Sequence, residues 1–172
     1  KRRGIAYLDC EIGGSSTQVG AGEVIVICGG DSKAFEDCRD ILDAISPTIF
    51  HTGPAGTGTR MKLALNIAIG LHRAVLAESL AFAETLGIES GLALNILKAG
   101  PAYSRAMDAK GEKMLSQDFT PEARLAQHLK DVRLILEAGR AGGAHTPLSA
   151  LHEKLLAEAV DRGLGTLDKH AK

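Results

Sequence analysis

With 172 residues, 45% of them hydrophobic and 24% charged, the chain is long enough for one domain or a large part of two, and apolar enough to bury a core. Its 20 Lys and Arg nearly cancel 21 Asp and Glu, so it lacks the basic excess with which a nucleic-acid binder neutralises phosphates, and no nucleic-acid partner is expected. Aromatic residues make up 3% and Trp is absent, so the core must be built from Leu, Ile, Val and Ala, which suits closely packed helices.

The first fifty residues read as α/β. A short apolar run from Gly4 to Asp9 predicts a strand, and the β-branched Glu23 to Cys28 predicts a second, covered on both faces. Asp31-Ser32 caps a helix predicted from Lys33 to about Ile45, which Pro47 stops, and Thr48 to His51 predicts a third strand. Three short strands and one helix are a poor independent sheet, so this segment reads as the trailing edge of a larger one. After Gly58 the pattern turns helical. Thr59 to Leu86 predicts one long helix, apolar on nearly every side, that ends at Gly87. Further helices are predicted over Ser90 to Ala99, Ala106 to Leu115, Pro121 to Ala141 and Pro147 to Arg162, with Gly and Pro at each join. The expected organisation is residues 1–52, an α/β remnant, and 53–172, an all-helical domain.

Cys10, Cys28 and Cys38 form no C-x-x-C pair and have no His partners at metal-ligand spacing. No metal is therefore expected, and Cys10 and Cys28 read as buried free thiols of a reducing compartment. The longest apolar stretch, Leu63 to Leu71, is interrupted by Asn66 and followed by His72-Arg73, so neither a signal peptide nor a membrane partner is expected and a cytoplasmic location is. Lys1-Arg2-Arg3 reads as a solvated end. The start without Met, at a run with no helix or strand signal, suggests part of a longer protein.

Three segments could carry chemistry. Gly53-Pro-Ala-Gly56-Thr-Gly58-Thr-Arg-Met-Lys62-Leu-Ala-Leu-Asn66 delivers a glycine-rich turn into a helix N-terminus, where bare N–H groups and the helix dipole favour an anion. Lys62 and Asn66, four apart, share a helix face, and Gly70 one turn later leaves space there. Against this stands the plainer reading of a snorkelling lysine and a satisfied core amide. Asp9-Cys-Glu-Ile-Gly13-Gly14-Ser15-Ser16 ends a strand with exposed amides and hydroxyls suited to a carboxylate, or is an ordinary loop. Lys130-Asp131 is a candidate whose plainer reading is an exposed ion pair. The glycine order is neither G-x-G-x-x-G nor a P-loop.

Together and in this order these segments resemble the β-hydroxyacid dehydrogenases, the group containing 3-hydroxyisobutyrate dehydrogenase and tartronate semialdehyde reductase. The pattern G-x-x-G-x-G-x-x-x-K-x-x-x-N is matched from Gly53 to Asn66. The family's D-x-P-x-S-G-G stretch, with a later A-x-x-G and a strand ending in Gly-Gly-Asp, resembles Asp9 to Asp31, its K-D-L-G-x-A-x-D pattern resembles Lys130 to Glu137, and its usual ending resembles Gly163 to Asp168. The resemblance implies a mainly α fold, in which a helical domain like the C-terminal domain of 6-phosphogluconate dehydrogenase follows the last strands of a Rossmann-type domain. It implies hydride transfer between NAD or NADP and a small 3-hydroxy acid or semialdehyde, with Lys62 as general acid/base and Asn66 orienting substrate and lysine. Gly13, Gly14, Ser15, Ser16 and Asn66 would bind the small carboxylate substrate, and Lys130 and Asp131 would lie on the cofactor side. The long helix, apolar on nearly every side, leads to the separate expectation of a homodimer through the helical domain.

The departures are specific. Gly13 stands where the family has serine, Ser15 where it has glycine, and Glu11 where it has proline; Arg133, Ile135 and Glu137 depart from the third pattern. No G-x-G-x-x-G occurs in these residues, so the 172-residue chain alone is expected to bind cofactor weakly and turn over little. The rival expectation is a non-catalytic binding or dimerisation module that keeps the family scaffold. A relationship to imine reductases is disfavoured, because that chemistry does not call for a lysine at position 62.

Overall fold

In the computed structural model, residues 5–168 and 170 are described; Lys1-Arg2-Arg3 and Gly4, and with them the start of the first expected strand, lie outside the described residues. The chain divides into two compact units, Lys1–Leu65 and Asn66–Lys172.

The first unit holds a three-stranded sheet in the order β1-β2-β3, built from β1 (Leu8–Gly13), β2 (Ile25–Gly30) and β3 (Ile49–His51). β1 runs antiparallel to β2, from Leu8 opposite Gly30 to Gly13 opposite Ile25, and β3 runs parallel to β2. The central strand β2 is buried along nearly its whole length, as its β-branched run predicts. Val26 and Cys28 on β2 pack with Phe35 and Leu42 from α2 (Ser32–Asp37) and α3 (Arg39–Asp43). Asp31 caps α2 by accepting from the Ala34 N–H at 3.0 Å. Two expectations shift here. β1 lies four residues later than the apolar run suggests, and the single helix expected over 33–45 is two, parted at Cys38, whose ψ of 8° leaves the helical region. Asp40 accepts from its neighbour's N–H in that stretch, the local bonding by which Asp competes with helix continuation. A short helix, α1 (Ser16–Gly20), also joins β1 to β2.

α4 (Thr57–Thr85) starts in the first unit and runs on into the second, which adds α5 (Ser90–Ala99), α6 (Arg105–Leu115), α7 (Leu125–Ala141), α8 (Pro147–Asp161) and a 3₁₀ turn at Leu164–Thr166. Leu76 and Leu80 of α4 pack on Ala93 and Leu94 of α5 and Met107 of α6. Leu125, Leu129 and Val132 of α7 pack on Leu156 and Ala159 of α8. The mainly α architecture with a small preceding sheet is as expected. Among the described residues, α4 is the one helix long and apolar enough to cross a membrane by length and composition; the core helix of a soluble protein meets the same test.

α7 begins at Leu125, not at Pro121. The intervening residues are held out of the helix by the segment around Asp168: Glu122 and Ala123 donate their N–H groups to Asp168 Oδ2 at 2.8 and 3.2 Å, and Leu125 donates to the Leu167 carbonyl at 2.9 Å. Asp168 is fully buried and also meets Lys110 Nζ at 3.1 Å and His170 Nδ1 at 2.5 Å.

Candidate functional site

Alternation along β1 sends Asp9, Glu11 and Gly13 to one face, and each of them meets α4 or the turn before it. The buried Asp9 accepts from the Gly56 N–H at 2.6 Å and the Thr59 N–H at 2.9 Å. Burial pushes the Asp9 carboxyl up, but these backbone hydrogen bonds outweigh it and hold the group below the usual carboxylate range. The anion that the glycine-rich turn favours is thus supplied by the protein itself. Glycines make the approach possible: a Cβ on Gly29 would lie 2.7 Å from both Asp9 Oδ1 and the Gly58 nitrogen. Glu11 Oε1 accepts from the Thr59 hydroxyl at 3.1 Å.

Lys62, one helical turn beyond Thr59, is half-buried and its Nζ donates to the carbonyl oxygen of Ile12. This seats the ammonium at the carboxyl end of β1, beside the Gly13–Ser16 loop. Gly13 has no room for a side chain, because a Cβ there would lie 2.6 Å from Ile25 Cγ1 and 3.1 Å from Leu65 Cδ2. Gly14 is similarly confined, with Val24 Cγ1 2.5 Å from a Cβ. Ser15 and Gln18 cap α1 reciprocally: the Ser15 N–H donates to Gln18 Oε1 at 2.9 Å, and the Gln18 N–H donates to Ser15 Oγ at 3.3 Å. The Ser16 side chain lies outside the described residues. The expected carboxylate donor at Ser15 therefore already has a local partner, which the S-x-x-Q spacing from Ser15 to Gln18 could have signalled.

In the second unit, Asn66 is half-buried on α4, Lys130 is exposed on α7 and Asp131 is half-buried beside it. The space expected at Gly70 is filled. A Cβ there would lie 2.9 Å from His128 Nε2 and 3.0 Å from His152 Cε1. Arg73, 4% exposed, donates from Nη2 to His128 Nε2 at 3.2 Å. Its Nε has no hydrogen-bond partner among the described residues. Burial pushes its guanidinium down to about 10, against the opposing charge of Asp168. Arg73, His128 and His152 lie on three helices, so no sequence spacing singles them out.

The cysteine expectation is overturned: Cys10 and Cys28, directly opposed on β1 and β2, form a disulfide, and Cys10 is exposed. Antiparallel strands bring such opposed side chains close, a pairing that a separation of 18 residues does not reveal. Cys38 remains a free thiol. No three His, Cys, Asp or Glu side chains converge on a metal position among the described residues.

Residues 56–172 match the family model described as NAD-binding of NADP-dependent 3-hydroxyisobutyrate dehydrogenase, and residues 1–53 match the NAD binding domain of 6-phosphogluconate dehydrogenase. The chain is 31% identical over 170 residues to 2-(hydroxymethyl)glutarate dehydrogenase of Eubacterium barkeri, covering 98% of this chain and 56% of that protein. It is 30% identical over 169 residues to the cytokine-like nuclear factor N-PAC of Aedes aegypti, covering 98% of this chain and 30% of that one. Its fold matches 3-hydroxyisobutyrate dehydrogenase from Salmonella typhimurium with a TM-score of 0.88 at 24% identity, over 95% of this chain and 58% of that one. The chain thus spans about half or less of the proteins it matches. Both matched models are of nicotinamide-dinucleotide-binding domains, so the cofactor class is NAD or NADP. The sequence contains no G-x-G-x-x-G fingerprint, and Asp9 takes the N–H groups of Gly56 and Thr59 at the head of α4.

Proposed function

The chain belongs to the β-hydroxyacid dehydrogenase family, and we propose that it is the substrate-binding and catalytic part of an enzyme interconverting a small 3-hydroxy acid and its semialdehyde. The nicotinamide, when bound, accepts or supplies the hydride. Lys62 moves the proton of the substrate hydroxyl, taking it during oxidation and returning it as an ammonium during reduction. Asn66, one turn along the same helix, orients the substrate oxygen and the lysine. Backbone and side-chain donors of Gly13, Gly14, Ser15 and Ser16 receive the substrate carboxylate, and Lys130 and Asp131 serve the cofactor side. A homodimer formed through the helical unit and a cytoplasmic location belong to the same reading, with α4 as a core helix and not a membrane span.

The observation that carries this reading is the seat of Lys62 at the Ile12 carbonyl, beside the Gly13–Ser16 loop. It is tested with the whole protein that contains this chain, assayed with NAD(H) and NADP(H) against a panel of 3-hydroxy acids and semialdehydes. Lys62→Ala is expected to lower kcat by roughly 10²- to 10⁴-fold, the usual contribution of a positioned acid/base group, without loss of fold. Retained turnover in that variant would remove Lys62 from the chemistry.

A second reading, a non-catalytic binding or dimerisation module, is favoured by one specific arrangement. Gly13 replaces the family serine, and the Ser15 N–H is taken by Gln18. Absence of turnover on the whole panel by the intact protein would select it.

A further inference from the structure

We propose that Cys10 and Cys28 form a reversible thiol–disulfide site that sets how firmly β1 holds the start of α4. Among the described residues β1 pairs with β2, and the bridge ties the two across directly opposed positions. Both bridged residues sit among the contacts that fix α4. On one side of Cys10, Asp9 accepts from the Gly56 and Thr59 amides; on the other, Glu11 accepts from the Thr59 hydroxyl and Ile12 receives Lys62. Across the bridge, the Cys28 carbonyl accepts from the Thr52 N–H at 2.8 Å and the Thr52 hydroxyl at 3.0 Å. That hydroxyl lies 2.8 Å from the hydroxyl of Thr57, the first residue of α4. One covalent bond therefore links the two backbone segments from which the head of α4 is held.

The burial of the pair gives the exchange a direction. Cys10 is exposed and Cys28 fully buried, so an incoming thiolate of a dithiol reductant attacks Cys10 Sγ. The sulfur–sulfur bond breaks, and Cys28 leaves as a thiolate and takes a proton. The reductant's second thiol then attacks its own sulfur in the mixed disulfide and releases Cys10 as a thiol. Two electrons and two protons pass from the dithiol to the chain, and an oxidised dithiol carries the reverse reaction. Reduced, β1 is held to β2 by its hydrogen-bond ladder without the covalent tie, and local opening there loosens Asp9 and Ile12 together. The consequence for turnover rests on the reading of Lys62 as acid/base; the thiol chemistry and the local opening do not.

The test uses the whole protein that contains this chain, purified without reductant. Alkylated after unfolding and digested, it should yield Cys10 and Cys28 as a linked peptide pair and Cys38 as a labelled thiol; after treatment with dithiothreitol all three should be labelled. Hydrogen exchange at the Gly56 and Thr59 amides should accelerate about tenfold on reduction, as expected for local opening, and slow again on reoxidation. Cys10→Ser and Cys28→Ser should match the reduced protein, and the reduced wild type supplies that comparison if either variant misfolds. Labelling of Cys10 and Cys28 without reductant, or equal exchange in the two states, overturns the proposal. Redox-dependent exchange in a protein with no turnover in either state supports the site and removes the Lys62 reading instead.

Discussion

Gly13 stands where the family pattern resembled by Asp9 to Asp31 has serine, and its neighbours explain the departure. Ile25 on β2 occupies the volume that a side chain on Gly13 would need. Restoring the family residue with Gly13→Ser should therefore destabilise the protein by about 1–3 kcal/mol through overpacking. The double variant Gly13→Ser with Ile25→Ala should recover part of that loss, because it vacates the same volume. Urea unfolding midpoints of the two variants decide the point, and equal midpoints would show that Ile25 is not what excludes the side chain. Glu11, which stands where the resembled pattern has proline, lies within β1 opposite Ile27 of β2. Its carboxylate is engaged by Thr59.

At the scale of elements, the chain end acts as a latch on the start of α7. Asp168 receives the Glu122 and Ala123 amides, Lys110 and His170 in a fully buried position. Burial pushes its carboxyl up, but the Glu122 amide, His170, the Ala123 amide and Lys110 together hold it well below the usual carboxylate range. A carboxyl with a depressed folded value stabilises the protein above its unfolded value, near about 4, and that stability is lost as pH falls from there toward the folded value. The melting temperature should therefore drop below about pH 4, and Asp168→Asn should flatten that acid limb. At neutral pH the same variant should cost about 1.5–3 kcal/mol, the usual worth of a hydrogen bond to a charged group, because the buried Lys110 loses the Asp168 charge and keeps Glu122 at 2.7 Å. An unchanged acid limb in thermal melts of Asp168→Asn would assign acid sensitivity to another group.

At the scale of the whole molecule, the helical unit displays apolar side chains that a monomer would leave in water. Val75 and Phe82, seven residues apart on one face of α4, are 61% and 64% exposed, and Leu148, Leu151 and Leu155 line one face of α8. Rows of this kind mark surfaces that another chain covers, and in the proposed homodimer a second copy covers them. Phe82→Glu and Leu151→Glu should shift the whole protein from dimer to monomer in sedimentation analysis at micromolar concentration. A wild-type monomer would refute the homodimer, and variants that stay dimeric would place its interface elsewhere.

From the sequence alone came the mainly α architecture, the buried central strand, four of the five long helices to within two residues at each end, and the ordered motifs that place the chain in its family. Those features are set by interactions a few residues long: side-chain period, capping chemistry, and the punctuation of Gly and Pro. Tertiary structure decided the rest, because it pairs groups far apart in the chain. Asp9 caps α4 from 47 residues away, and Asp168 takes the Glu122 and Ala123 amides from 46 and 45 away, which delays α7. Two imidazoles fill the gap expected at Gly70, and strand register joins Cys10 to Cys28. A buried polar group must find a partner wherever the fold supplies one, and no local pattern records where that partner lies.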